Sequence, residues 1–127
     1  MSYLFDSNIL IYYFNGSMTE SIKNRVSGMM QEGFNISVIS KMEFLGFRGF
    51  IADEVETARA FLEYAKIIPM DDNIVNEVIH MRQRKAIKLP DAIIASTSIH
   101  SRLSLVTRNS RDFSSLGLTI INPFESL

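Results

Sequence analysis

Four acidic residues, far apart in the sequence, have the side-chain chemistry needed to hold a divalent metal ion. They are Asp6, Glu43, Asp91 and Asp112. Carboxylates held within a few ångströms of one another repel, and burial raises their pKa values unless a cation compensates. Ligation by oxygen atoms alone selects Mg²⁺ or Mn²⁺ over Zn²⁺. Such an ion can activate water and neutralise charge on a phosphodiester oxygen, so this chemistry is typical of a metal-dependent nuclease.

The composition excludes the common alternatives to an all-oxygen site. The sequence has no cysteine, which rules out disulfides and thiolate ligands. Its two histidines, His80 and His100, are too far apart in the sequence to form a local zinc motif.

Short apolar strands alternate with helices along the chain. The predicted strands cover residues 3–5, 34–39, 66–69, 103–107 and 118–121. The predicted helices cover residues 9–14, 19–31, 41–47, 53–65, 71–86 and 90–100. This alternation predicts βαβ units and a parallel sheet with right-handed crossovers. We therefore expect an α/β fold, a three-layer α/β/α sandwich with a central parallel sheet of four or five strands, in a single domain over residues 1–127.

Such a sheet would bring the four acids together. The carboxyl ends of parallel strands meet at one edge, where functional groups gather. Asp6, Glu43 and Asp112 each follow a predicted strand within a few residues. Asp91 instead begins a helix just after Pro90, a position from which it can still point towards the same edge.

Each acid also has an explanation that involves no ligand. Asp6 could simply cap the helix that follows it. Glu43 could complete a Ser-x-x-Glu capping box with Ser40, a role that is compatible with metal binding. Asp91 could be an ordinary first-turn acid, and Asp112 could cap a turn.

Charge is distributed unevenly, although the net charge is only −1. Residues 1–81 hold six Lys or Arg against eleven Asp or Glu, whereas residues 82–112 hold seven basic residues and two acidic ones. Charge runs of this kind are commonly a solvated face. Because the basic excess flanks Asp91, we hypothesise that some of these side chains contact the phosphates of a nucleic acid. The candidates are Arg82, Arg84, Lys85, Lys88, Arg108 and Arg111.

The amino terminus indicates a cytoplasmic location. Residues 1–5 are apolar but have no basic leader, and the run from residue 9 to 14 is far shorter than the ~20 apolar residues needed to span a bilayer. We expect no membrane partner.

Four sequence blocks, in order, resemble a PIN domain, most closely the VapC toxins of bacterial toxin–antitoxin pairs. They are residues 4–11 (LFDSNILI), 41–44 (KMEF), 89–95 (LPDAIIA) and 107–113 (TRNSRDF). The resemblance spans nearly the whole chain. It implies an Mg²⁺- or Mn²⁺-dependent endoribonuclease that leaves a 5′-phosphate. One departure is Ser7, where many relatives have threonine, but the hydroxyl is kept.

The resemblance also assigns roles to residues and partners. It implies that Asp6, Glu43 and Asp91 are metal ligands and that Asp112 is a fourth acid, while Asn109 lies where the family has a polar residue near the metal. The segment of residues 44–51, rich in phenylalanine and glycine, has core packing as its default explanation. In VapC-like toxins this region makes dimer contacts and receives the antitoxin. We therefore expect a homodimer with a groove for a VapB-like antitoxin.

Two other functions stay open. A catalytically silent PIN domain would bind RNA and cleave none, although all four acids are intact here. A phosphoacceptor signalling domain is also a small α/β protein with clustered aspartates. That chemistry needs a pair of acids after the first strand, whereas Asp6 is alone there, and the pair Asp71-Asp72 has the pattern of a helix start.

Overall fold

The computed structural model describes residues 2–125, which form a five-stranded parallel sheet with helices on both faces. The strands are β1 (Tyr3–Phe5), β2 (Phe34–Ser37), β3 (Lys66–Ile68), β4 (Ser104–Val106) and β5 (Ile120–Ile121). The helices are α1 (Ser7–Phe14), α2 (Glu20–Gly33), α3 (Val38–Leu45), α4 (Ala52–Leu62), α5 (Asp72–Arg84), α6 (Leu89–Ser101) and α7 (Ser110–Phe113). The strand order is β3-β2-β1-β4-β5, so β1 lies in the middle. The predicted α/β class and parallel sheet are confirmed.

The alternation of side chains along the strands produces two hydrophobic cores. Tyr3 and Phe5 belong to the core that packs against α1, α2 and α4, whereas Leu4 belongs to the core formed with α5, α6 and α7. Successive residues of a strand point to opposite faces, so a fully buried strand needs apolar residues at every position. All three residues of β1 are buried, which confirms the three-layer arrangement.

The phenylalanine-rich segment packs mainly into the first core. Phe44 is fully buried, and its ring lies 5.7 Å from that of Phe14 and 5.4 Å from that of Phe50. Phe47 packs edge-on against Phe50 at 5.1 Å. Ile51, the last residue of the segment, is by contrast 66% exposed. Core packing, the default explanation for this segment, accounts for its rings.

The predicted cap of α3 is wrong. Strand β2 ends at Ser37, and the Ser37 hydroxyl accepts a hydrogen bond from the Ser40 backbone N–H at 3.1 Å. Ser40 therefore lies inside the first turn of α3, and its own hydroxyl is buried against that of Ser37. Both residues are serines of high capping preference, but only Ser37 has the extended backbone that a cap requires. The capping box of Ser40 with Glu43 is excluded, and Glu43 lies in the second turn of α3.

None of the helices within residues 2–125 combines the length and the hydropathy required to cross a membrane.

Candidate active site

Asp6 lies at the centre of the site, directly after the central strand. Its side chain is only 5% exposed and accepts three hydrogen bonds. The Ser7 backbone N–H donates to Oδ1 at 2.8 Å, the Thr107 hydroxyl donates to Oδ2 at 2.8 Å, and the Asn8 amide donates to Oδ2 at 3.3 Å. Asp6 is thus also the N-cap residue of α1, which is the role that helix capping alone would give it. A cap and a ligand are compatible because a carboxylate has about four lone-pair sites.

Burial makes the charge on Asp6 costly. Desolvation, together with the charges of Glu43 and Asp91, raises the pKa of Asp6 to about 6 against the opposing effect of the hydrogen bonds from Thr107 and Ser7. A raised carboxylate pKa beside other acids is the condition that a bound cation relieves.

Glu43 reaches the same edge of the sheet from α3. It is exposed, and its Oε1 accepts a hydrogen bond from the Ser7 hydroxyl at 2.9 Å. Ser7 therefore bonds Asp6 through its backbone and Glu43 through its side chain. This connection fixes the start of α1 relative to α3.

Asp91 and Asp112 complete the set from α6 and α7. Asp91 lies in the first turn of α6 and is partly buried, and burial together with the charges of Asp112 and Glu43 raises the pKa of Asp91, opposed by Lys88. Asp112 is exposed in the short helix α7. Asn109 is exposed at the start of α7, where its backbone N–H donates to the Thr107 hydroxyl at 3.1 Å. The acids therefore act on one another electrostatically across four elements.

The donor set fits a hard divalent cation, although the side chains do not form a finished ligand set. Across residues 2–125, no three acidic or histidine side chains converge closely enough, as they are placed, to hold one ion together. Asp112 is exposed, and the exposed Glu43 side chain is held by the hydrogen bond from Ser7, so only modest side-chain movements oppose closure of the site. All the donors are carboxylate oxygens, which Mg²⁺ and Mn²⁺ prefer. The site therefore has suitable chemistry but would have to close around the ion.

The six basic candidates do not share one surface. Arg82 and Lys85 line a separate groove of about 490 Å³, and both donate hydrogen bonds to backbone carbonyls, of Ile87 and Ser115 respectively. Arg84 bonds back to its own helix at the His80 carbonyl.

The remaining three basic residues lie near the acids. The positive charge of Lys88 lowers the pKa of Asp91. Arg108 and Arg111 line a cleft of about 340 Å³ together with Asp112.

Sequence reasoning missed the residues that hold Asp6 in place. Thr107 is fully buried and bridges the Asp6 carboxylate and the Asn109 backbone. The signal lies in the strand register. Phe5 of β1 pairs with Val106 of β4. Asp6 and Thr107, the next residues of the two strands, therefore lie side by side. That pairing joins strands distant in the sequence, and the chain alone does not reveal it.

Comparisons with known proteins bear on the family and the fold of the chain. The family model described as PIN domain matches residues 3–117. A chain of a toxin–antitoxin complex from Klebsiella pneumoniae is 33% identical, with a TM-score of 0.81 and coverage of 98% of this chain and 100% of that one. A search among curated proteins found no significant match.

Two further structures have the same fold at lower identity. A chain of VapBC2 from Rickettsia felis, bound to a promoter DNA fragment, is 23% identical with a TM-score of 0.82, covering 96% of this chain and 98% of that one. A chain of DNA-bound VapBC from Salmonella typhimurium is 20% identical with a TM-score of 0.81, covering 97% and 98%. Since the family model covers most of the sequence and the fold agrees over nearly its whole length, the chain belongs to the PIN domain family.

Proposed function

We propose that this protein is an Mg²⁺- or Mn²⁺-dependent endoribonuclease and the toxin of a VapBC-type toxin–antitoxin pair. PIN domains of VapC toxins are generally nucleases, and PIN nucleases generally use a divalent metal ion. The observation that carries the proposal is electrostatic: the charges of Glu43 and Asp91 act on Asp6, and those of Asp112 and Glu43 act on Asp91, although these acids come from four separate parts of the chain.

The proposed ligands are Asp6, Glu43, Asp91 and Asp112. A bound divalent ion would polarise the scissile phosphate and supply an activated water for in-line attack. Asp6, held by three hydrogen bonds, is the fixed member of the set. Asn109 lies beside Asp112 with its side chain free of any capping hydrogen bond, so it is suited to orient a polar group of the substrate.

We place the RNA at the cleft formed by Arg108, Arg111 and Asp112, with Lys88 nearby. Arginine donates paired hydrogen bonds to phosphate oxygens, and backbone contacts of this kind dominate nucleic-acid affinity. The intramolecular bonds of Arg82, Arg84 and Lys85 make these three the weaker candidates. As a protein partner we propose a VapB-like antitoxin, by analogy with the toxin–antitoxin complex that contains a chain 33% identical to this one. We also propose a second copy of the chain, for which the exposed Ile51 and Met42 are candidate contacts.

The test is cleavage of RNA by the purified protein with and without Mn²⁺, comparing Asp91→Asn with Asp53→Asn. Both acids lie in the first turn of a helix, so both substitutions remove the same favourable interaction with the helix dipole. We expect Asp91→Asn to lower the cleavage rate at least about a hundredfold and Asp53→Asn to leave it unchanged. Near wild-type turnover in Asp91→Asn would refute the assignment, and metal-dependent RNA binding without cleavage by the wild type would favour the silent PIN domain.

A further inference from the structure

Arg108 lies in a corner between two aromatic rings at the edge of the site. Its guanidinium carbon is 4.4 Å from the ring centre of Phe124 and 5.1 Å from that of Tyr12. The two rings are 5.7 Å apart and nearly perpendicular, at 76°. In the described part of the chain no carboxylate forms an ion pair with Arg108, and the residue is exposed. The guanidinium is thus held beside the two rings without a paired carboxylate among residues 2–125.

The ring of Phe124 belongs to a segment that follows β5 and is fastened at several points. The Arg25 guanidinium on α2 donates to the Pro123 carbonyl at 2.7 Å and to the Glu125 carbonyl at 3.1 Å. The Asn122 side chain donates to the Arg108 carbonyl at 3.3 Å and accepts from the Phe124 backbone N–H at 3.0 Å. The carboxyl-terminal segment therefore presents Phe124 to Arg108 in a fixed orientation.

Arg108 is tied to the acid site through its backbone. It directly follows Thr107, whose hydroxyl donates to Asp6. Its own backbone N–H donates to the Asn8 side chain at 3.4 Å, and Asn8 in turn donates to Asp6. The guanidinium thus belongs to a residue whose position is set by the same hydrogen bonds that hold the buried carboxylate.

The mode of packing determines which part of the guanidinium remains available. A guanidinium close to the faces of aromatic rings is attracted to them as a cation, and this attraction does not consume its N–H donors as hydrogen bonds would. Its N–H donors lie in its own plane, where they match a phosphate group in a bidentate manner. The cleft beside Arg108 also contains the carboxylates of Asp112 and Glu125, which repel an incoming phosphate. A fixed cation at this place would offset that repulsion.

We infer that Tyr12 and Phe124 are positioning residues that hold Arg108 ready to bind a backbone phosphate of the RNA next to the scissile one. The inference rests on the proposed function, because it names how the same site holds its substrate. Ordering a long side chain opposes binding, and the aromatic corner has already ordered this one before the RNA arrives.

The experiment measures binding of a fluorescein-labelled, mixed-sequence single-stranded RNA by anisotropy over a range of salt concentrations. All variants are made in full-length Asp91→Asn protein, so that the RNA is not cut. We expect Arg108→Gln to lower affinity about tenfold and to reduce the salt slope by about 0.7. Phe124→Leu keeps the charge and should lower affinity about threefold with the slope unchanged. Arg59→Gln removes an exposed arginine elsewhere and should change neither.

A double variant separates positioning from simple packing. In Arg108→Gln protein, the additional change Phe124→Leu should have no further effect on RNA affinity, because there is no guanidinium left to position. If both changes only lower the melting temperature and leave the affinity of the folded protein unaltered, the inference is overturned. A separate assay of RNA cleavage by the wild type distinguishes the two proposals. If the wild type cleaves RNA but Arg108→Gln does not change RNA affinity, only this inference is wrong. If RNA binding depends on Arg108 but the wild type does not cleave, only the nuclease proposal is wrong. Absence of any RNA binding overturns both.

Discussion

At the scale of single residues, the site depends on a buried carboxylate that is hydrogen-bonded but not neutralised. Asp6 accepts bonds from a backbone N–H, a hydroxyl and an amide, which orient both of its oxygens. These bonds only partly offset the cost of burial, so the pKa of Asp6 is raised to about 6. The residue therefore lowers the stability of the metal-free protein at neutral pH, as functional residues often do.

This cost has a defined dependence on pH. The pKa of Asp6 rises from 3.8 to about 6 on folding, so the folded state holds its proton more tightly than the unfolded state. The stabilising contribution of the protonated form is fully present below about pH 4 and is lost as the pH rises through about 6. In Asp6→Asn this loss cannot occur.

We therefore compare the free energy of unfolding of Asp6→Asn with that of wild type in the presence of a chelator. The difference, Asp6→Asn minus wild type, should rise by on the order of 2–3 kcal/mol between about pH 4 and pH 7. Urea denaturation of both proteins at several pH values measures it. A difference that stays constant with pH, or that changes in the opposite sense, would contradict the burial argument.

The acids of the site could be identified from residue type and order, but their environments could not. Asp6, Glu43, Asp91 and Asp112 were predicted to share one edge, and their mutual influence on pKa agrees with this. The role of Thr107 depends on the pairing of β1 with β4, which are separated by most of the chain. Local patterns contain no information on such a pairing.

At the scale of elements, the start of α1 connects two of the acids. Ser7 begins α1, where its backbone bonds Asp6 and its hydroxyl bonds Glu43. The second bond joins α1 to α3, and its loss would free the exposed Glu43 side chain to adopt other rotamers. A threonine hydroxyl at this position could make the same bond.

Replacing Ser7 tests this connection. We expect Ser7→Ala to raise the Mg²⁺ concentration needed for half-maximal RNA cleavage about threefold to tenfold, because one hydrogen bond to a charged group is lost. Ser7→Thr keeps the hydroxyl and should restore a value near that of wild type. The same metal requirement in all three proteins would show that Glu43 does not need Ser7.

Element boundaries were the part of the fold that sequence patterns predicted least well. Helix α7 was not predicted, because it is a single turn around Asp112 with only Phe113 buried, too short for a helical periodicity to appear. Helix α3 was expected to start after Ser40 instead of Ser37, since the β-branched Val38 and Ile39 favour a strand locally. Packing of α3 into both cores, with Phe44 in the first and Ile39 against the second, overrides that preference.

At the scale of the whole molecule, the strand order places β1 in the middle of the sheet, so Asp6, directly after β1, lies between the carboxyl ends of β2 and β4. The overall class was predictable because strands and helices alternate with clear apolar patterns. The strand order was not, since it follows from crossovers between elements far apart in the sequence. The outer surface keeps exposed apolar side chains, among them Tyr64 at 84%, Ile51 at 66% and Met42 at 57%.

These side chains suit the expected homodimer and antitoxin groove. Sedimentation of the isolated chain at micromolar concentration should give the mass of a dimer, because burial of such residues supplies the association energy. Ile51→Glu and Met42→Glu should shift the protein towards the monomer. A monomeric wild type under these conditions would show that the expected homodimer is wrong.

The central claim is that the four acids form one site for a divalent cation, and direct titration with Mn²⁺ tests it most simply. Loss of the free Mn²⁺ signal in electron paramagnetic resonance should show binding by the wild type and by Asp53→Asn, and binding weakened at least about tenfold in Asp6→Asn and Asp91→Asn. Equal Mn²⁺ affinity in all four proteins would contradict the claim.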